Sequence, residues 1–425
     1  MRRGLVAGPA RLAMVAGLAV SACTVAPAPA RPAHPASRSV SGYRAPATGA
    51  AGLAAPPAAT GAPAQLPGCT TVATSARYLP ATRAMVRVGG EPFGVAVTPD
   101  GRYVFVSRAT SGVQVYRAGR GLALTWVRSV TVPGTLLGEA LTSGGRYLLV
   151  ASDRGAVVID VAAAEQGRPR PVLGTLSAPR GMGAIEVAVT HNSQLAFVSL
   201  EYSDDIAVFR LGRALASGFG PADYAGSIPQ GEAVVGLALS PDGQWLYATS
   251  ELDPGVAAGR TGQGSLSVIS VPRAAADPAH SVLATVAAGC QPVRVVTSAD
   301  GTVAWVTARG SNALLGFSTA LLRSHPARSL IARAGVGEAP VGLALVDHGR
   351  QIVVADSNRF ETPGASASLA VVRVADALAG RPALAGLLPA GLFPRDMAVA
   401  PRGRTLLVTC FGSGQLELVD LTGLP

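Results

Sequence analysis

GEPFGVAVTPDGRYVFVS, Gly90 to Ser107, reads as two short strands joined by a tight turn. On both sides of the Pro-Asp-Gly run, apolar residues fall on every second position, which is the period of a half-buried strand. The same phrase returns along the chain. It begins at Pro92 (PFGVAVTPDGRYVFVS), Leu136 (LLGEALTSGGRYLLVA), Ala184 (AIEVAVTHNSQLAFVS) and Val234 (VVGLALSPDGQWLYAT). It continues at Pro292 (PVRVVTSADGTVAWVT), Pro340 (PVGLALVDHGRQIVVA) and Pro394 (PRDMAVAPRGRTLLVT). A third strand follows each copy: GVQVYRA, GAVVIDVA, DIAVFRL, SLSVISV, ALLGFS, SLAVVRV and QLELVDL. A fourth generally comes next, as in RSVTVPG and SVLATVAAG.

Repeats of four antiparallel strands at this spacing predict the blades of a β-propeller, each blade burying its faces on its neighbours. The seventh copy has only three strands before the chain stops at Pro425, while TRAMVRVGG (Thr82 to Gly90) is a spare strand ahead of the first. That strand is expected to become the outer strand of the last blade and to close an all-β, seven-bladed ring, leaving no open edge. The Asp residues of the turns, Asp100, Asp242 and Asp300, are read as turn formers, not as ligands.

The repeat resembles the YVTN family of bacterial propellers, broadly like the lactonase-type and surface-layer propellers. The resemblance runs from about Thr82 to Leu421. VAVTPDGRYVFVS, LALSPDGQWLYATS, VTARGSN and VTCFGSGQLELVD carry it best, and the GH…WD marks of WD40 blades are missing. It implies the fold strongly and the function weakly, because propellers host unrelated activities.

The N-terminus reads as an address. MRRGLVAGPARLAMVAGLAVSAC has a basic front, an apolar run too short to span a bilayer comfortably, and small residues before Cys23. VSAC (Val20 to Cys23) resembles a bacterial lipobox, with Val20 in place of the usual Leu. The resemblance implies cleavage before Cys23 and lipidation of its sulfur; an ordinary secretory signal cut nearby is the alternative. Residues 1–22 are thus expected to be a leader. Residues 23–68, rich in Pro and Ala and free of acids, are expected to be a disordered tether, and residues 69–425 the propeller. The location follows: extracytoplasmic, anchored to the membrane through Cys23 or secreted.

Charge narrows the partners. The chain has 425 residues, only 5% aromatic, and a formal charge of +10. It contains no Lys. Of its 35 basic residues, six (Arg2, Arg3, Arg11, Arg31, Arg38 and Arg44) precede Thr71, where no acid occurs, so the remaining 29 Arg face 25 acids. Such a body, without basic runs or interleaved aromatics, gives no reason to expect nucleic acid. A monomer that meets an envelope protein, a peptide or a polysaccharide is the expectation.

Chemistry in a propeller sits where the innermost strands begin. Aligning the repeats there gives Gly94, Gly138, Glu186, Gly236, Arg294, Gly342 and Asp396. Glu186, Arg294 and Asp396 are therefore expected to share one ring in a polar funnel, either binding a ligand or forming a solvated ring whose Arg partly neutralises two acids. The loops between second and third strands add Arg108, Asp153, Glu201, Glu251, Arg309, Asn358 and Arg359 on the same face. Two of these loops, Glu251–Gly264 and Ser357–Ala367, are long enough to cap the funnel or meet a partner, or to be plain surface excursions.

Lactonase-type relatives imply charged and His groups in the funnel. All five His fall elsewhere: His34 in the tether, His191 and His348 in hairpin turns, His280 and His325 between blades. A hydrolase would have to use Glu186, Arg294 and Asp396, with Arg294 stabilising an oxyanion. No G-x-S-x-G nucleophile is present, and no zinc spacing, haem-attachment motif or EF-hand suggests a metal or cofactor. With Cys23 lipidated, Cys69, Cys290 and Cys410 remain. Cys290 and Cys410 belong to non-adjacent blades, while Cys69 lies on a lead-in with longer reach. Cys69 with Cys290 is the expected bridge, and three separate thiols the alternative. Binding or scaffolding through the funnel face is the leading expectation; a lactonase-like hydrolase and a structural envelope protein are the alternatives.

Overall fold

The computed structural model of the chain describes residues 64–69, 71–110, 112–256 and 262–425. The expected leader, the expected lipidation site Cys23 and the expected tether up to residue 63 lie outside the described residues.

Every repeat becomes a four-stranded antiparallel sheet, and the described residues form seven such sheets. Blade 1 is Pro92–Val97, Tyr103–Arg108, Val113–Ala118 and Leu124–Val130, in that order from the axis outward. The innermost strands of blades 2 to 7 are Leu136–Leu141, Ala184–Val189, Glu232–Leu239, Pro292–Thr297, Pro340–Val346 and Pro394–Val399. These strands surround the axis. Phe93, Ile185, Val235, Val293 and Val341, from five different blades, form one buried cluster with Leu137 of a sixth packed against it.

Between blades the alternation of each strand supplies the core. Leu149 and Val158 of blade 2, for example, meet Val198 and Phe209 of blade 3 in a single buried cluster. Each such side chain contributes about 1.5–3 kcal/mol on full burial.

The outer strand of blade 7 is Arg83–Arg87, taken from ahead of blade 1. It runs antiparallel to Gln415–Asp420, with Arg83 opposite Val419 and Arg87 opposite Gln415. The Arg83 guanidinium donates to Glu417 Oε1 at 2.6 Å and to the Pro389 carbonyl of blade 6 at 2.8 Å. Closure thus joins three pieces of chain.

The turns do what their composition requires. Asp100 Oδ1 accepts from Thr98 Oγ1 and from the Arg102 N–H, and Gly101 takes the left-handed conformation (φ +71°) that a Cβ would strain. Asp242 and Asp300 repeat the arrangement, and their local hydrogen bonds hold all three carboxyls below the ordinary range.

Two features go beyond the expectation. Five short helices, such as Val161–Gln166 and Val271–Ala276, connect third to fourth strands. Asp160 caps the first by accepting from the Ala163 N–H, and Ser270 caps the second. The lead-in is also docked before the expected boundary at residue 69. Pro67 is buried and its carbonyl accepts from Gln263 Nε2. Farther on, the Thr74 N–H donates to Val336 O, and Tyr78 bridges Leu387 in parallel. Residues 64–69 and 71–82 form an arm across blades 4, 5 and 6, leading into the closing strand. Cys69 and Cys290 form a disulfide with Cα atoms 5.1 Å apart, tying this arm to the end of the outer strand of blade 4 (Val282–Cys290), while Cys410 is a buried free thiol. Among the described residues no helix is long and apolar enough to cross a membrane.

Candidate functional site

One backbone device builds the site seven times. At the start of every innermost strand the register with the second strand slips by one residue, as between Pro92 and Val95 or between Pro292 and Val295. A bulge of this kind re-aims side chains and frees an N–H from the ladder. Five blades capture that N–H with a hydroxyl from the second strand, which then donates to the next blade. Thr307 Oγ1 accepts from the Arg294 N–H at 3.1 Å and donates to Val341 O at 2.7 Å. Ser107, Ser199, Thr249 and Thr409 do the same, Thr409 passing the link from Asp396 to Phe93 O across the ring closure. Blades 2 and 6 have Ala151 and Ala355 at this position.

The bulged residues form two rings. The first is an apolar collar of Phe93, Leu137, Ile185, Val235, Val293 and Val341, broken in blade 7 by Arg395. The second is Gly94, Gly138, Glu186, Gly236, Arg294, Gly342 and Asp396. The glycines make room. A Cβ on Gly138 would stand 2.9 Å from Glu186 Cδ, and one on Gly236 would stand 2.3 Å from Val293 O.

Across that space Arg294 Nη2 lies 3.0 Å from Glu186 Oε2, although blade 4 separates their blades. The pair is close and poorly aligned: neither of those two atoms, nor Arg294 Nε, has a hydrogen-bond partner of good geometry. Burial raises the Glu186 carboxyl to about 7; Arg294 opposes that shift and Asp396 adds to it. Asp396 Oδ2 accepts from the Val95 N–H at 3.1 Å, and burial raises this carboxyl as well.

The loop residues separate into groups. Arg309 Nη2 pairs with Glu251 Oε2 at 2.6 Å, and its guanidinium lies 5.7 Å from the Phe360 ring. Arg359 stands over Phe360 and Phe393 at 5.5 and 5.4 Å; burial first and then the Arg309 charge lower its pKa. Glu201 is raised by burial and by Glu251, and is drawn down by Arg395, Arg309 and Arg359. These residues share one electrostatic neighbourhood with the second ring. Asn358 does not join it: its amide donates to Ala365 O and its carbonyl accepts from the Thr362 N–H, so it organises its own loop. Arg108 lies along its own hairpin beside Gly90 and Gly112. Asp153 and Glu201 line a cleft of about 820 Å³ between blades 2 and 3 that reaches Leu137 and Ile185 of the collar. The long loop of blade 4 is shorter than expected, because its strands extend through Leu252 and from Gln263.

Two site residues were not anticipated from the sequence. Glu139 occupies the position held in the other blades by Val95, Val187, Leu237, Val295, Leu343 and Met397. It is buried, neither carboxylate oxygen has a hydrogen-bond partner of good geometry among the described residues, and burial, followed by the charge of Asp396, pushes its pKa well above the usual range. Arg395 is the other, and its guanidinium carbon lies 3.8 Å from the centre of the Phe93 ring. Both break an apolar column of the repeat alignment, which is the signal that would have found them. Among the described residues no group of three or more His, Cys, Asp or Glu is placed to hold a metal ion.

No protein-family model matches the chain, and no curated protein matches it. A solved structure does. The chain is similar to one from Kuenenia stuttgartiensis hydrazine synthase over 81% of its own length and 99% of that chain, with 17% identity and a TM-score of 0.61. At that identity the likeness shows the propeller fold alone.

Proposed function

We propose that the protein is an extracytoplasmic propeller of the YVTN type that binds a ligand or partner through its funnel face. Lipid attachment at Cys23 is the expected anchor, and a peptide, polysaccharide or envelope protein the expected partner. One observation carries the binding reading. Four guanidiniums (Arg294, Arg309, Arg359, Arg395) and five carboxyls (Glu139, Glu186, Glu201, Glu251, Asp396) influence one another in one funnel, with several of their buried polar atoms unsatisfied. Burying polar groups without partners is costly, so such a cluster suits a ligand that completes it.

The test is thermal shift of the full chain against sugars, lactones, peptidoglycan fragments and short peptides, beside a Glu186→Ala/Arg294→Ala double variant. A shift that the double variant loses supports the funnel. No shift from any compound, together with unchanged partner capture after shortening the loop from Glu251 to Gly264, sinks the reading and favours a structural envelope role.

A hydrolase remains the second reading because Glu186, held near 7 beside Arg294, suits proton transfer at neutral pH. Glu186→Gln would then abolish lactone or ester turnover in a chain that stays folded.

A further inference from the structure

Arg395 is the one cation in an otherwise apolar collar. Its guanidinium stacks on Phe93 at 3.8 Å, and the rings of Phe393 and Phe411 stand 5.4 and 5.7 Å away. Aromatic faces stabilise a cation, but they satisfy none of the five N–H donors of an arginine. The adjacent carboxylate does not either: among the described residues Arg395 forms no ion pair with Asp396, whose Oδ2 accepts from the Val95 N–H. Arg395 Nε is buried without a partner, while the residue as a whole keeps partial exposure. Arg359, whose guanidinium also contacts the Phe393 ring, forms no ion pair among the described residues.

We propose that Arg395, held against Phe93, Phe393 and Phe411 with Arg359 beside it, is the anchor of a carboxylate-binding site at the floor of the funnel. This rests on the reading of the funnel face as a binding surface and names the ligand class it takes. The planar fork of a guanidinium matches a carboxylate through two parallel hydrogen bonds. A flat monoanion with an apolar body suits the partly buried Leu137, Phe393 and Phe411, which pack against the buried collar and keep some exposed apolar surface. A multiply charged tetrahedral anion fits less well, because Glu186, Glu201 and Asp396 all lie within electrostatic reach of Arg395. Leaving the cation unpaired costs stability in the empty protein, as expected of a binding group and not of a structural one.

The test titrates the full chain with benzoate, benzamide and benzylammonium, by calorimetry and thermal shift, in wild type, Arg395→Met and Arg395→Lys. Methionine has similar length and suits the collar, so Arg395→Met is expected to fold with an equal or higher Tm when no ligand is present. Benzoate is expected to bind wild type in preference to both other probes. It should bind Arg395→Met at least about tenfold more weakly, with Arg395→Lys between them. Equal benzoate affinity in wild type and Arg395→Met would overturn the anchoring role. Failure of benzoate to bind, or binding no tighter than benzamide, would overturn the carboxylate class. Neither of those results touches the wider funnel reading, which fails separately if the Glu186→Ala/Arg294→Ala variant retains every shift of the larger ligand panel.

Discussion

Thr307 links two buried backbone groups of different blades through one oxygen. Thr307→Val keeps the shape and removes the hydroxyl, leaving the Arg294 N–H and the Val341 carbonyl short of a partner. The expected loss is about 1–3 kcal/mol in chemical denaturation, with the fold retained. Retention follows from blades 2 and 6, which hold Ala151 and Ala355 at the same position. Glu186 gives a second residue-scale test. Its carboxyl is raised from 4.5 in the ordinary state to about 7 in the folded chain, mainly by burial. The folded state therefore binds this proton more tightly than the unfolded state, and folding takes up protons between those values. Stability from this group is present below about pH 4.5 and is lost as pH rises through about 7. Glu139 acts in the same direction. Melting of wild type across that window should fall more steeply than melting of Glu186→Gln, and parallel curves would show that Glu186 titrates normally.

At the scale of single elements, the closing strand is the most exposed to test. Glu417 is fully buried and relies on Arg83, which also reaches the Pro389 carbonyl of the neighbouring blade. Arg83→Ala leaves a buried carboxylate without its cation, an arrangement that costs roughly 3–5 kcal/mol in comparable cases. Urea unfolding of Arg83→Ala and of the double variant Arg83→Met/Glu417→Met separates the lost partner from the pair, and the double variant should recover most of the loss. The existence of this strand was legible in the sequence, because a seventh copy with three strands and a spare strand at Thr82 to Gly90 leave one way to close the ring. Blade number, strand order and the turn role of Asp100, Asp242 and Asp300 were legible for the same reason: repetition averages over local ambiguity. The short helices were harder, since DVAAAEQG follows a strand without a break and its cap, Asp160, looks like the end of that strand. The Ser and Thr latches stand in the repeats as VFVS, FVS, YAT, WVT and LVT, but their role needs the neighbouring blade's carbonyl, which no single repeat contains. Glu186, Arg294 and Asp396 could be placed on one ring from the alignment. Glu139 and Arg395 were passed over because a repeat alignment is read for agreement, and these two residues are its disagreements.

For the whole molecule, stability depends on how a linear chain becomes a ring. Six of the seven blade junctions join consecutive repeats; the junction between blades 7 and 1 must be made by distant parts of the sequence. There Val95, Val104 and Tyr116 of blade 1 pack with Leu407, Leu416 and Leu418 of blade 7, and Ala84 and Val86 of the closing strand cover that core. The arm ahead of the strand is fastened separately by the Cys69–Cys290 bond, which spans 221 residues of sequence. A loop of that length constrains the unfolded chain strongly, by roughly 5 kcal/mol in the chain-entropy description. Three truncated chains isolate these contributions. One beginning at residue 64 removes no described residue and should remain monomeric with an unchanged Tm. One beginning at residue 82 loses the arm and its disulfide; it should stay monomeric and melt lower. One beginning at residue 89 also loses Arg83–Arg87, so Gln415–Asp420 becomes an open edge and Glu417 loses Arg83. An unpaired edge is a template for another chain, so this last protein should associate in light scattering at concentrations where the other two do not. If it stays monomeric and melts with the chain beginning at residue 82, the ring holds through the blade 7–blade 1 core alone, and the closing strand is a cover, not a clasp.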